Sequence, residues 1–233
     1  MGHSHHWSHH TIGPIQTNCY VLGTSDNAIL FDPGGPEAEQ IARQLLEKEI
    51  EIKHVFVSHG HYDHLGWAHT VQKVVEGAKV YLHIDEKPIY EVYLDKLKFY
   101  GVNKQELREP DIWITDKQTI KVSGYEFQII HTPGHSPGSA TYRLTNLPEH
   151  NNFPSPINID TTFVGDCLFQ GSIGRVDLEF GDPSKMKSSL LRLMNELPSH
   201  SQILPGHGNT TTMEFELKNN PFLLALQRNI DIF

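Results

Sequence analysis

Short apolar runs alternate with polar loops along most of the chain, and this pattern predicts alternating strands and helices. Residues 17–22, 28–32 and 53–57 are rich in the β-branched and aromatic side chains of buried strands. Residues 37–49 and 65–76 instead space their apolar side chains as one face of a helix. Strands and helices in alternation are typical of an α/β fold.

The second half of the chain continues the pattern. Residues 119–122 and 125–130 predict a hairpin, residues 161–164 and 202–204 predict two more strands, and residues 184–197 predict a helix. Residues 85–116 carry an apolar helical stripe that predicts an outer packing helix, with a lid, a wall of a substrate site or a dimer surface as alternatives. Most of the predicted strands lead into a loop that bears histidine or aspartate. Loops at one edge of a rigid sheet commonly form a site.

Composition adds limits to this picture. The 233 residues are enough for one sizeable domain, and the net charge of −9 disfavours a nucleic-acid partner. Two cysteines are too few for a disulfide framework, which favours a cytoplasmic location. No apolar run approaches the roughly 20 residues of a membrane span.

The first ten residues differ from the rest, because five of them are histidines grouped around Trp7. They lack the apolar core of a secretory signal. We predict that residues 1–10 form a disordered arm or tag and that residues 11–233 form a single domain.

The chemistry is concentrated in residues 58–66, where a predicted strand gives way to a predicted helix. The order His-x-His-x-Asp-His places four potential metal ligands within six residues. His59 and His61 share a face of an extended backbone and can reach one ion together. Asp63 and His64 lie past the turn and suit a second ion. Imidazole and carboxylate ligands favour zinc, iron or manganese.

Three later loops add His135 in Thr-Pro-Gly-His, Asp166 in Gly-Asp and His207 in Pro-Gly-His. The motifs and their order, over about residues 18–207, resemble the metallo-β-lactamase-fold hydrolases. The resemblance implies a four-layer αββα sandwich with metals at one edge of two sheets. It also implies that one metal is held by His59, His61 and His135, the other by Asp63, His64 and His207, and that Asp166 bridges both.

Two divalent metals about 3.5–4 Å apart can share a hydroxide, so no serine or cysteine nucleophile is needed. We expect that hydroxide to attack a carbonyl carbon, with Asp63 and Asp166 orienting it as the catalytic carboxylates. Zinc is the expected metal, with iron or manganese as alternatives.

Residues 165–169 and 171–175 resemble the short, glyoxalase II-like branch of these hydrolases. That resemblance implies cleavage of hydroxyacyl-glutathione-type thioesters, a small-molecule substrate. We expect the protein to be a monomer or a homodimer. Arg175 stands where longer relatives grip glutathione with a lysine, and is the predicted substrate contact. The tyrosine that follows two residues later in those relatives is Asp177 in this chain.

Two other functions fit the same ligands. One is a persulfide dioxygenase-like oxidoreductase, whose single iron would be held by His59, His135 and Asp166. The other is a metal-binding protein without turnover.

Overall fold

The computed structural model describes residues 5–96, 108–148 and 157–231 of the chain. Their strands form two six-stranded sheets and a small two-stranded hairpin. The first sheet runs in chain order and contains β1 (His6–Ile12), β2 (Thr17–Gly23), β3 (Asn27–Phe31), β4 (Glu51–Phe56), β5 (Lys79–His83) and β6 (Ile112–Ile114). Strands β1 to β3 pair antiparallel, and β3 to β6 pair parallel.

The second sheet is mixed. Its members are β7 (Thr119–Val122), β8 (Tyr125–His131), β9 (Ala140–Asn146), β10 (Thr162–Gly165), β13 (Gln202–Pro205) and β14 (Thr211–Thr212). Their order across the sheet is β14-β13-β10-β9-β8-β7, and β10 pairs parallel with β13. The hairpin consists of β11 (Leu168–Phe169) and β12 (Ser172–Ile173).

Helices cover the outer faces. They are α1 (Glu37–Glu47), α2 (Tyr62–Leu65), α3 (Ala68–Val74), α4 (Lys87–Lys96), α5 (Pro183–Glu196), α6 (Met213–Asn219) and α7 (Pro221–Gln227), with a 3-10 turn at Ile84–Glu86. Of the stripe predicted over residues 85–116, α4 accounts for the first part, and residues 97–107 lie outside the described residues. Asp182 caps α5 by accepting a hydrogen bond from the Lys185 backbone N–H, just before Pro183.

Three apolar cores separate four layers. Helices α1 and α3 pack on the outer face of the first sheet, and α5 and α7 pack on the outer face of the second. Between the sheets lies an aromatic core, in which the rings of Phe31 and Phe163 stack with centroids 3.7 Å apart. The predicted four-layer αββα sandwich is therefore confirmed.

The prediction of a disordered arm over residues 1–10 is wrong for residues 6–10. They belong to β1, which pairs with β2 along seven residues. The Trp7 ring stacks on Tyr20 at 5.6 Å, and Trp7 packs against the aromatic core between the sheets. The histidine-rich composition concealed a strand whose alternate side chains, Trp7 and His9, face Tyr20.

The helix predicted over residues 65–76 is broken into α2 and α3. The Trp67 backbone N–H donates to the Pro33 carbonyl at 3.0 Å, instead of to the carbonyl four residues before it. The break turns the chain back toward the first sheet directly after the histidine-rich motif. Within the described residues, no helix is long and apolar enough to cross a membrane.

Candidate metal centre

Four loops at one edge of the sandwich carry the predicted metal ligands. Each loop follows the carboxyl end of a strand, namely β4, β8, β10 and β13. Strand β9 is antiparallel to both β8 and β10, and β10 is parallel to β13, so β8, β10 and β13 end at the same edge. The seven residues brought together there are His59, His61, Asp63, His64, His135, Asp166 and His207.

His59, His61 and His135 form what we call the three-histidine set. His61 Nδ1 lies 3.0 Å from His59 Nε2 and 2.9 Å from His135 Nε2. Burial lowers the pKa of His59 well below its usual value and lowers the pKa of His61 to about 3. Burial also lowers the pKa of His135. All three imidazoles are therefore neutral at pH 7, as metal ligands must be.

Protein partners on the outer nitrogens determine which nitrogens face inward. The His135 Nδ1–H donates to the Arg175 carbonyl at 2.8 Å. The Ser58 hydroxyl gives its one proton to Asp32 at 2.8 Å, so it accepts the hydrogen bond from His59 Nδ1 at 3.0 Å. The inner Nε2 atoms of His59 and His135 consequently carry lone pairs. Lone pairs that face a common point fit a cation.

Asp63, His64 and His207 form the second set. The His207 Nε2 lies 3.1 Å and the His64 Nε2 lies 3.4 Å from Asp63 Oδ2. Burial lowers the pKa of His64, but the carboxylates around it, above all that of Asp63, outweigh burial and raise it well above its usual value. Burial raises the pKa of Asp63, but His64 and the hydrogen bond from His207 outweigh burial and hold it far below its usual range. The carboxylates around His64 thus favour a positive charge in the second set, and a proton and a metal cation would compete for this place.

Asp166 lies between the two sets. Its Oδ2 is 3.5 Å from the Nε2 atoms of His135 and of His207, and its Oδ1 is 3.4 Å from His64 Nε2. The Oδ1 atom is buried and has no hydrogen-bond partner among the described residues. A buried carboxylate oxygen without a partner is costly unless it binds a cation. Together with the imidazole donors, it fits a divalent metal of the zinc, iron or manganese class.

Asp32 supports both the loop and a histidine of the second set. Its Oδ1 accepts the Ser58 backbone N–H at 2.7 Å, and its Oδ2 lies 3.0 Å from His64 Nδ1. The residue has a φ of 48°, a left-handed conformation that costs a non-glycine residue energy. Asp32 therefore both holds the Ser58 backbone and orients His64.

Sequence reasoning missed two polar residues at the centre. The Thr17 hydroxyl donates to Asp63 Oδ2 at 3.2 Å, and Glu86 is buried beside the loop that carries His59 and His61. Each is 26 or more positions from its partner, and each stands in an ordinary strand or turn sequence. Only the fold brings these residues to the site.

Another group of potential ligands, apart from these two sets, contains His83, Asp85 and His131. The two imidazole rings stack with centroids 4.0 Å apart and planes within 13°, so their in-plane lone pairs run side by side and do not converge. The His131 Nε2–H donates to the Pro137 carbonyl at 2.8 Å, and His83 Nδ1 accepts the Asp85 backbone N–H at 3.3 Å. This geometry does not suit a metal ion.

A cavity of about 450 Å³ opens beside the two sets. Its apolar walls are Ile15, Phe169, Ile173 and Leu178. Arg175 also lines it, but the exposed guanidinium is already paired with Asp177 through two hydrogen bonds of 2.8 Å. Arg175, the predicted substrate contact, thus lies at the cavity, but the Asp177 carboxylate would compete with a substrate for its guanidinium.

Known proteins resemble this chain in sequence and fold. A family model described as the metallo-beta-lactamase superfamily matches residues 12–147. This chain belongs to the metallo-β-lactamase superfamily. The probable metallo-hydrolase YqgX of Bacillus subtilis is 32% identical over 218 residues, which cover 93% of this chain and 97% of YqgX. The hydroxyacylglutathione hydrolase GloC of Haemophilus influenzae is also 32% identical, over 90% of this chain and 93% of GloC.

Solved structures of the superfamily match the fold over almost the whole chain. The B3 metallo-β-lactamase BLEG-1 has a TM-score of 0.75 and 30% identity, and covers 94% of this chain and 99% of its own. The di-iron-bound form of TTHA1623 has a TM-score of 0.74 and 30% identity, and covers 93% of this chain and 100% of its own. The chain is therefore a hydrolase-type protein of the superfamily, with a metal-binding cluster of histidine and aspartate.

Proposed function

We propose that the protein is a metal-dependent hydrolase that cleaves thioesters of the hydroxyacyl-glutathione type at a pair of divalent cations. The observation that carries the proposal is the position of Asp166 between the two sets of ligands, with one buried oxygen that accepts no hydrogen bond from the described residues. The likeness to GloC, a hydroxyacylglutathione hydrolase, supports the substrate class.

In this proposal the three-histidine set would hold one cation, the second set would hold the other, and Asp166 would be shared. Zinc is the expected metal, with iron and manganese as alternatives. When bound, the cations supply Lewis-acid activation of water and of the substrate carbonyl at neutral pH. Asp63 and Asp166 would accept hydrogen bonds from the attacking water and orient it. The hydrogen bond from Thr17 to Asp63 fixes the carboxylate for that task.

The cavity supports a substrate with an apolar portion beside its thioester, since four apolar side chains form its walls. Arg175 would release the Asp177 carboxylate and bind a substrate carboxylate in its place. Removal of that competitor in Asp177→Asn should lower KM for S-lactoylglutathione several-fold, and Arg175→Ala should raise it. A thioester without a carboxylate is the control substrate, and its KM should change in neither variant.

The proposal is tested on protein purified without added metal. Elemental analysis should find close to two equivalents of metal per chain, and exhaustive chelation should abolish hydrolysis of S-lactoylglutathione until metal is restored. His207→Ala should lose one equivalent and most of the activity. His200→Ala is the matched control, because that histidine is exposed and contacts Asp160 away from the centre. Hydrolysis that survives complete metal removal would contradict the proposal.

The same preparation separates the alternatives. One equivalent of iron with oxygen uptake on glutathione persulfide would identify a dioxygenase instead of a hydrolase. Hydrolysis of a β-lactam but not of thioesters would instead indicate a β-lactamase, in keeping with the likeness to BLEG-1. Tight metal binding with no turnover of any of these substrates would indicate a metal-binding protein.

A further inference from the structure

Glu86 is a carboxylic acid in the 3-10 turn before α4, and it is completely buried. Its Oε2 accepts the Gly60 backbone N–H at 2.8 Å. Its Oε1 accepts the Gly138 backbone N–H at 2.6 Å and the Ser136 hydroxyl at 2.5 Å. The side chain therefore connects two loops that lie more than 70 positions apart in sequence.

Both loops are glycine where they meet Glu86. A Cβ atom on Gly60 would stand 2.6 Å from Glu86 Oε2, and one on Gly138 would stand 2.6 Å from the Glu86 backbone nitrogen and 2.7 Å from its Cγ. Contacts this short are not tolerated, so any other residue would displace Glu86 or its loop. Because the two glycines have no side chains, the backbone of both loops packs directly against Glu86.

The two loops are those of the three-histidine set. Gly60 lies between His59 and His61, and Ser136 directly follows His135. All three hydrogen bonds that the described residues donate to Glu86 come from these loops. The second set receives no such support from it.

Burial raises the pKa of Glu86 to about 6, although the hydrogen bonds from Ser136, Gly60 and Gly138 oppose that shift. At neutral pH the side chain is thus mostly a carboxylate, which accepts and never donates. Hydrogen bonds to a charged acceptor are about twice as strong as neutral ones. A carboxylate is suited to this position because all three groups that face it are donors.

We propose that Glu86 is a positioning residue that sets the distance between the His59–His61 loop and His135, and so determines the affinity of the three-histidine set for its cation. The inference rests on the proposed function, because it requires that this set binds a metal. Groups that orient metal ligands typically change metal affinity by roughly 10–100-fold when they are removed. Glu86 acts on the backbone between and beside the ligands and does not contact the imidazoles.

Glu216 provides a matched control. It is also completely buried, and its carboxylate accepts a hydroxyl, from Thr211 at 2.6 Å, and a glycine N–H, from Gly171 at 2.9 Å. A third hydrogen bond comes from Asn220 at 2.9 Å. Replacement of either glutamate by glutamine removes a buried charge and introduces a donor opposite a donor, but only Glu86 adjoins the three-histidine set.

The experiment measures metal affinity in the full chain with His207→Ala as background, so that the three-histidine set is studied without the complete second set. Metal-free protein is titrated with zinc against a chromophoric chelator. Glu86→Gln should weaken zinc binding roughly 10–100-fold, and Glu216→Gln should leave it unchanged. A second readout needs no metal: amide hydrogen exchange at Gly60 and Gly138 should accelerate in metal-free Glu86→Gln and not in Glu216→Gln.

Each other outcome has a defined meaning. Unchanged zinc affinity in Glu86→Gln would overturn the inference and leave the proposed function intact. Failure of the wild-type chain to bind zinc, iron or manganese would instead refute the proposed function. Equal weakening in Glu216→Gln would show general loosening and also overturn the inference. If Glu86→Gln does not fold, Ser136→Ala removes one of the three hydrogen bonds and should weaken zinc binding several-fold; no change there would count against the inference.

Discussion

At the scale of the residue, the missing side chain of Gly206 allows the loops of the metal centre to approach one another closely. A Cβ atom on Gly206 would stand 2.2 Å from Asp166 Oδ1 and 2.6 Å from His64 Cε1. The residue before His207 must therefore lack a side chain, since the space beside it is taken by atoms of the centre.

Gly206→Ala should consequently weaken metal binding by roughly 10–100-fold, because the added methyl displaces Asp166 or His64. Gly208→Ala is the control: its φ is +75°, but nothing lies within 4 Å of its Cβ position. That variant should lose roughly 1 kcal/mol of stability through backbone strain and keep its metal affinity. Chelator competition and urea unfolding measure the two effects, and equal metal affinity in both variants would contradict this account of Gly206.

Glu86 also makes stability depend on pH. Its pKa is about 6 in the folded chain against an ordinary 4.5, so the folded state binds the proton more tightly than the unfolded state. The resulting stabilisation is complete below pH 4.5 and is lost as pH rises through about 6. The loss amounts to about 2 kcal/mol, from about 1.4 kcal/mol for each pKa unit.

Urea unfolding of the metal-free protein between pH 4 and pH 8 measures this loss. Glu86→Gln has no proton to release, so the difference in unfolding free energy between wild type and variant should change by about 2 kcal/mol over that range. A difference that stays constant with pH would show that Glu86 titrates normally.

At the scale of elements, the C-terminal helices hold one wall of the cavity. The Asn220 side chain caps α7 by accepting the Phe222 backbone N–H at 3.0 Å. Its Nδ2 donates to the Ser172 carbonyl at 3.0 Å, in the β11–β12 hairpin that carries Phe169 and Ile173. The position of those apolar walls therefore depends on where α6 gives way to α7.

Asn220→Ala should lower the free energy of unfolding by about 2 kcal/mol, because it removes a helix cap and leaves buried partners unsatisfied. It should also raise KM more than it lowers kcat, since the hairpin lines the cavity and Asn220 lies outside the two ligand sets. The neighbouring Asn219→Ala is the control, because among the described residues its amide makes a single, exposed hydrogen bond, to the Phe215 carbonyl. Steady-state kinetics that show the reverse split would refute this role for the helices.

At the scale of the whole molecule, the sandwich is closed at one side by β1. That strand extends the first sheet by seven paired residues, and its Trp7 covers the aromatic core beside Phe163. The edge strand thus belongs to the packed body of the molecule although its composition resembles that of a tag.

Removal of residues 1–10 should lower the free energy of unfolding by about 2 kcal/mol or more, as expected for the loss of a half-buried tryptophan and its strand. Removal of residues 1–5 keeps all of β1 and should have little effect. Neither truncation removes a member of the two ligand sets, so metal content should stay the same in both. Equal stability of the two truncated chains would show that β1 contributes nothing.

Local patterns in the sequence determined much of this protein. The period of the apolar residues predicted the buried strands and the helix at Pro183–Glu196, because each such element buries a face that its own spacing defines. The seven candidate ligands were also found from sequence, since they lie in motifs that follow strands β4, β8, β10 and β13. The family to which the chain belongs follows from those same motifs.

Only the tertiary structure decided the features that depend on distant partners. Trp7 marks a strand only because Tyr20 is there to stack on it, and the carboxylate of Glu86 has its role only because two glycines from separate loops close around it. Arg175 is likewise predictable as a cavity residue but not as one already paired with Asp177. The physical reason is the same in each case: periodicity records which face of an element is buried, whereas a polar or aromatic contact depends on the three-dimensional position of its partner.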